Sequence, residues 1–323
     1  MLFAHGSISP RFILISLYLP FFSLKFMYIQ AYIGSFAVLA AALIWGTTGT
    51  AAAYAPNLSP LAIGAFAMGF GGLLQAFIAK RSIQKYWRNI LQQRFLLGAG
   101  VLSVAIYPLA FYSSMYYAGI TIGTVISIGT APIFSALLER FFNHQSLSIR
   151  WMISFVLGIL GVALLTFSDN HASTADAVTA LNKPLGIVLG LVAGATYSTY
   201  SWAAKQFINQ GFNAKAAMGS IFGLAAFILI PSLFWTAQNL FDEARNFYVV
   251  TYMATIPMFL GYVLFGYGLK TVSASYATTL TLFEPVVAAF FAAILIGEKI
   301  AMLGWVGIVM IFACLLILSS KRN

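Results

Sequence analysis

The sequence predicts an all-α integral membrane protein with ten transmembrane helices, arranged as two inverted five-helix repeats. Three observations lead there. Of 323 residues, 61% are hydrophobic and only 7% are charged, with a mean hydropathy of +0.91. A soluble domain carries roughly 25% charged residues, and so few charges do not cover a water-facing surface. A soluble enzyme, a nucleic-acid-binding module and a disordered chain are therefore excluded. Second, the apolar residues form long unbroken runs near the roughly 20 residues that a spanning helix needs, not the alternating strands of a barrel. Third, Lys and Arg lie between the runs, as in loops beside a membrane. The net charge of +10 thus points to a bilayer partner and not to nucleic acid.

The ten runs follow in order. The first is about 32–54, closed by the turn Ala55-Pro56-Asn57-Leu58. The second, 59–79, ends at Lys80-Arg81. The third, 95–117, starts after a basic stretch and ends at Ala118-Gly119. Runs 120–139 and 151–168 complete the first half, and the polar stretch Asp169 to Lys183 separates it from the second. There the runs are 184–204, 216–237, 248–269, 274–296 and 302–319, with Gln238 to Phe247 as another polar break. Pro108, Pro132, Pro231, Pro257 and Pro285 lie within runs and mark kinks, tolerated where neighbours satisfy the freed backbone groups.

Orientation follows from Lys and Arg, which resist translocation. With a cytoplasmic N-terminus, 14 of the 17 fall inside and Lys183, Arg245 and Lys299 fall outside. The acids Asp169, Asp176, Asp242, Glu243 and Glu298 fall outside as well. Both termini are therefore expected in the cytoplasm. Eight spans also satisfy parity but leave two apolar runs unplaced. Residues 1–30 fit no span: the run Phe12–Leu24 has 13 residues between Arg11 and Lys25. They read as an N-terminal extension ahead of an alternative start at Met27, or as an interfacial segment; an eleventh span or a cleaved signal is the further alternative.

The ten runs divide five and five. A shift of 153 residues lays Pro132 on Pro285, Ala131 on Glu284, His144-Gln145 on Gly297-Glu298 and Ser154 on Gly307. A shift of 152 lays Gly34 on Gly186 and Trp45 on Tyr197. Halves with an odd number of spans enter the membrane from opposite sides. Inverted repeats of this kind support alternating access, with the solute site between them near the midplane.

These landmarks resemble a known group. Ala41-Ala42-Leu43-Ile44-Trp45-Gly46-Thr47-Thr48 is similar to the first-helix element of the EamA-type family, in the bacterial drug/metabolite transporter superfamily. Phe283-Glu284-Pro285-Val286 with Ala288-Ala289 resembles its ninth-helix motif. Gly297-Glu298-Lys299 resembles the following turn, and Ala131-Pro132-Ile133-Phe134 resembles the fourth-helix counterpart. His144-Gln145 departs from the usual Gly-Glu, and Cys314 stands where glycine is common. The resemblance implies residues 1–30 as an extension, 31–168 as a first EamA-like repeat, 169–183 as an extracytoplasmic loop and 184–320 as a second repeat. It further implies a multi-pass protein of the bacterial cytoplasmic (inner) membrane that exports or exchanges small organic solutes.

Few residues could carry chemistry. Charges within hydrocarbon are costly and usually face a cavity, and Glu284 is the one acid deep in a run. It reads as a carboxylate for a substrate amine or a proton, or as a structural acid beside Pro285. Glu139 and Arg140, at the inner end of the fourth run, read as interface anchors. Ring side chains with polar tips at mid-span want partners: Trp45, Tyr107, Tyr112, Tyr197, Tyr200, Tyr262 and Tyr267, with Thr48 and Ser201 beside them. Thr124, Ser127, Ala131 and Ser135 share one helical face, and Ala277, Leu280, Glu284 and Ala288 share its counterpart; both suit close helix packing or a cavity wall. No P-loop is present, His5, His144 and His171 lie outside the runs, and one cysteine makes no disulfide or Cys-rich metal site. Catalytic residues, metal and cofactor are not expected. The expected function is a secondary transporter of an amino-acid-like or other neutral or amine solute, with proton coupling as a hypothesis and no specified oligomeric state. A lipid-active membrane enzyme, a flippase and a channel are the alternatives.

Overall fold

The structure, a computed structural model, describes residues 30, 32–118, 120–167, 177–296 and 300–319. Among these, ten helices follow one another: α1 Tyr32–Ala53, α2 Pro60–Gln92, α3 Arg94–Ala118, α4 Ile120–Asn143, α5 Ile149–Phe167, α6 Ala177–Asn209, α7 Ala214–Thr236, α8 Ala244–Gly268, α9 Ala274–Leu295 and α10 Met302–Ser319. The protein is all-helical and membrane-embedded, and nine of the ten are long and apolar enough to cross a bilayer. The tenth, α6, is 33 residues long, like α2. Expectations on residues 1–29, on Asp169 and Asp176, and on the Gly297-Glu298-Lys299 turn lie outside the described residues.

Helix ends carry recognisable stops. Pro60 sits in the first turn of α2, where its missing N–H costs nothing. Asn213 caps α7 by accepting from the Lys215 backbone N–H at 2.9 Å, and Ser273 caps α9 through the Tyr276 N–H at 3.2 Å. His144, aligned with Gly297 by the repeat, ends α4 in the left-handed conformation usually given to glycine, with φ 53°. Helix α2 overruns its apolar run: the helix continues through Lys80, Arg81, Lys85 and Arg88 to Gln92.

The packing has a pseudo-twofold pattern. Helices α2 and α7, α4 and α9, and α5 and α10 pack against their own counterparts. The α3–α6 pairing is mirrored by α8 against α1, where Trp45 meets Gly261, and α4–α6 by α9 against α1, where Gly46 meets Val287. Corresponding glycines play corresponding parts. Gly34 lets α1 cross α8 at Gly268, and Gly186 lets α6 cross α3 at Ala118. Gly161 and Gly307 bring the α5 and α10 backbones together, and Gly158 receives Cys314. Tyr32 and Ser35 of α1 and Ser319 of α10 border one vestibule, so both ends of the described chain lie on one face. Gly34 is at that face, whereas Gly186 is near the turn after α3 on the opposite one. The repeats are thus inverted.

Candidate functional site

Helices α1, α2, α3, α6, α8 and α9 enclose a central cavity. The helices that form it are irregular there. Helix α1 breaks at Gly46-Thr47, where the Thr47 N–H turns to the Ile44 carbonyl at 3.2 Å. Thr48 donates its hydroxyl to the Trp45 carbonyl at 2.8 Å. Around Pro257, α8 widens to a π-helix over Ala254–Gly261, a departure common at functional sites. Two carbonyls there accept from other helices: Pro257 from Trp45 Nε1 at 2.9 Å, and Met258 from Gln75 Nε2 at 3.2 Å. In α9 the chain tightens to a 3₁₀ turn at Thr281–Phe283 immediately before Glu284-Pro285. The Glu284 N–H donates to the Thr281 carbonyl, which the missing proline N–H would otherwise leave open.

The cavity brings together Trp45, Thr48, Tyr107, Tyr112, Tyr197, Tyr262 and Glu284 from the nominated set. Trp45 lies with its ring centroid 4.7 Å from Tyr262 and 6.4 Å, edge-on, from Tyr197. Tyr107 is 5.6 Å from Tyr197. Three nominated residues stand elsewhere. Tyr200 is fully buried behind the wall, its hydroxyl 2.7 Å from that of Tyr262. Ser201 turns its hydroxyl back to the Tyr197 carbonyl at 2.8 Å, as a helical serine four residues on readily does. Tyr267, five residues past Tyr262, falls on another face of α8; it is exposed, with the Lys270 ammonium 4.7 Å from its ring centroid.

Polar groups at the cavity divide in two. Tyr197 donates to Thr281 Oγ1 at 3.0 Å, Tyr200 and Tyr262 share one bond, and the Trp45 N–H is held by Pro257. By contrast, no group among the described residues hydrogen-bonds the Tyr107 or Tyr112 hydroxyl or the Glu284 carboxylate. An ionised carboxylate only accepts, so the carbonyls near Pro285 offer it nothing. Met68, Met258, Gly64, Ala67, Pro108 and Phe111 complete the wall. Gly64 matters because a Cβ there would lie 2.9 Å from the Tyr112 ring. Methionines and glycines in apolar runs carry no signal of a cavity in sequence; only Pro108 and Phe111, one turn from Tyr107 and Tyr112, could have been inferred. The cavity measures about 30 Å³, far below the roughly 300 Å³ at which small-molecule pockets begin. Ring faces must part before an organic solute fits.

Among the described residues no group of His, Cys, Asp and Glu has the arrangement of a metal site. The nominated α4 face serves packing: Ser198 donates to the Ala131 carbonyl at 2.6 Å, and Thr278 to Ser135 Oγ at 3.3 Å.

Comparison with known proteins agrees with this architecture. A crystal structure of another protein shares the fold with a TM-score of 0.72, at 13% identity, over 88% of this chain and 95% of that one. An uncharacterized transporter of Bacillus subtilis (strain 168), YwfM, is 34% identical over 287 residues, 88% of this chain and 92% of its own. The aromatic amino acid exporter YddG of Salmonella typhimurium is 22% identical over 288 residues, 84% of this chain and 92% of its own. The sequence signature of the EamA-like transporter family matches twice, at residues 32–167 and 184–320. With two such repeats in ten helices around a central cavity, the chain belongs to the EamA-like transporter family of the drug/metabolite transporter superfamily and is a multi-pass membrane transporter.

Proposed function

We propose that this transporter exports a small organic solute bearing an amine across the bacterial cytoplasmic membrane by alternating access, with Glu284 as the counter-charge. One observation carries the reading: a carboxylate faces an aromatic cavity with no partner among the described residues. An unpaired charge away from water is costly, so the site favours either a proton or a cation there. Ring faces of Trp45, Tyr107, Phe111 and Tyr112 suit an ammonium or an apolar body. The exporter of Salmonella is named for aromatic amino acids, which combine an amine with such a body. The inverted halves supply the means of alternating access, and the cavity constricted to about 30 Å³ suits a carrier between open states better than a pore.

The test uses purified protein in vesicles and a panel of aromatic amino acids and their decarboxylated amines. Amine-bearing solutes should be taken up and should protect against thermal unfolding. Glu284→Gln should lower their affinity about tenfold to a hundredfold, the worth of one charge-assisted hydrogen bond. A variant with wild-type rate, affinity and pH dependence would sink the counter-charge.

A further inference from the structure

Glu139 does not behave as an interface anchor. Its neighbour Arg140 is exposed, but Glu139 itself is only 3% exposed and turns inward from the end of α4. Its carboxylate accepts from the backbone N–H of Ala274 at 2.7 Å and of Ser275 at 3.4 Å, and from the Ser275 hydroxyl. These are the first residues of α9, so a negative charge sits on the positive end of that helix. Across the turn, Lys205 of α6 donates to the Leu269 carbonyl at 2.8 Å, just past the last residue of α8. A cation there meets the negative helix end. Both side chains border the same vestibule. The α8–α9 turn is therefore gripped at both ends, from α4 and from α6.

The grip sits between two spaces. Glu139, Lys205, Thr271, Ser273 and Ser275 border a vestibule of about 1080 Å³, open to one face. From it, Ser275, Thr278, Thr281 and Glu284 follow one another on α9 at three-residue spacing, ending in the central cavity. Thr278 and Thr281 are wholly buried, bonded to Ser135 and Tyr197, so the column is shut between vestibule and cavity. The grip is one-sided. The repeat aligns Glu139 with Ala292 and Lys205 with Ala53, so the corresponding turn after α3 receives no charge from these positions.

We infer that Glu139 and Lys205 form the gate residues of the vestibule side, holding the α8–α9 turn so that the polar column of α9 stays closed. The inference rests on alternating access, and it adds which contacts must break on that side. Opening there requires the α9 N-terminus to leave the Glu139 carboxylate.

A cysteine-accessibility experiment tests it without a known substrate. Thr278→Cys is placed in a Cys314→Ser background, and a membrane-impermeant maleimide is applied from each side of oriented vesicles. With Glu139→Gln or Lys205→Met added, labelling from the vestibule side should rise about fivefold or more, with labelling from the other side falling. Lys205→Met stands independently should Glu139→Gln fold poorly. The native buried Cys314, kept as sole cysteine in each variant, must stay unreactive as the check on folding. Unchanged labelling of Thr278→Cys in both folded variants overturns the gate while leaving alternating access intact. A gate variant whose labelling rises from both sides together, with Cys314 still unreactive, overturns alternating access and the gate with it.

Discussion

Trp45, Tyr197, Tyr200 and Tyr262 have polar tips that the protein itself occupies, whereas those of Tyr107, Tyr112 and Glu284 have no hydrogen-bond partner among the described residues. This division separates stability from binding among chemically similar residues. Tyr200→Phe leaves the buried partner hydroxyl of Tyr262 without its bond, at a cost of about 1–3 kcal/mol. Tyr112→Phe removes a hydroxyl that no described residue uses and should leave thermal stability within about 0.5 kcal/mol. It should weaken solute binding by up to about tenfold if that hydroxyl meets the solute. Thermal unfolding in detergent, with and without an aromatic amine, checks both; the opposite ranking of the two variants would contradict the division. Convergence of Trp45, Tyr107, Tyr112, Tyr197 and Glu284 was legible in sequence because rings with polar tips, and an acid, are conspicuous inside apolar runs. Helical phase was not legible. Tyr267 and Ser201 have the right chemistry but point elsewhere, and Met68 and Met258 look like packing until neighbouring helices are in place.

Helices approach at glycines because a Cβ at the crossing would meet backbone, which cannot yield as a side-chain tip can. A Cβ on Gly161 would lie 2.7 Å from the Gly307 carbonyl oxygen, and the α5–α10 crossing depends on that closeness. Gly161→Val should therefore destabilise the protein by about 1–3 kcal/mol, as overpacking does. Gly98, inside α3, has nothing within 4 Å of such an atom, so Gly98→Ala should be neutral or stabilising by up to about 1 kcal/mol. Unfolding temperatures of the two variants decide the matter, and equal effects would show that the crossing is looser than described. Helix existence was readable from apolar runs, and Gly34 and Gly186 were readable as counterparts. The extent of α2 was not, because hydropathy marks the edge of the bilayer and the helix simply continues into the basic segment to Gln92. The π-helical stretch of α8 left no trace beyond Pro257, because the side chains that donate to its carbonyls, Trp45 and Gln75, come from helices far away in sequence.

At the scale of the whole molecule, the pseudo-twofold packing and the charge distribution are independent observations that bear on one topology. Packing sorts the turns into two sets. Asn57 bonds Glu243 at 3.3 Å, and Asn239 bonds the Asn57 carbonyl at 3.2 Å, so the α1–α2 and α7–α8 connections share a face. Ser146, Ser273 and Ser319 border the vestibule, which gathers the α4–α5 and α8–α9 turns and the end of α10 on the other face. The charges bear on which face is cytoplasmic. Lys80, Arg81, Lys85, Arg88, Arg94, Arg140, Arg150, Lys205, Lys215 and Lys270 belong to the vestibule side, against Lys183 and Arg245 on the opposite side. Basic loops resist translocation, so the vestibule should face the cytoplasm. In a Cys314→Ser background, Asn239→Cys should then react with an impermeant maleimide in intact cells, and Ser146→Cys only after the cells are permeabilised. The reverse pattern would invert the transporter in the membrane and turn the proposed cytoplasmic gate into an external one. Reaction of both cysteines in intact cells would break the even alternation on which two opposed five-helix halves depend.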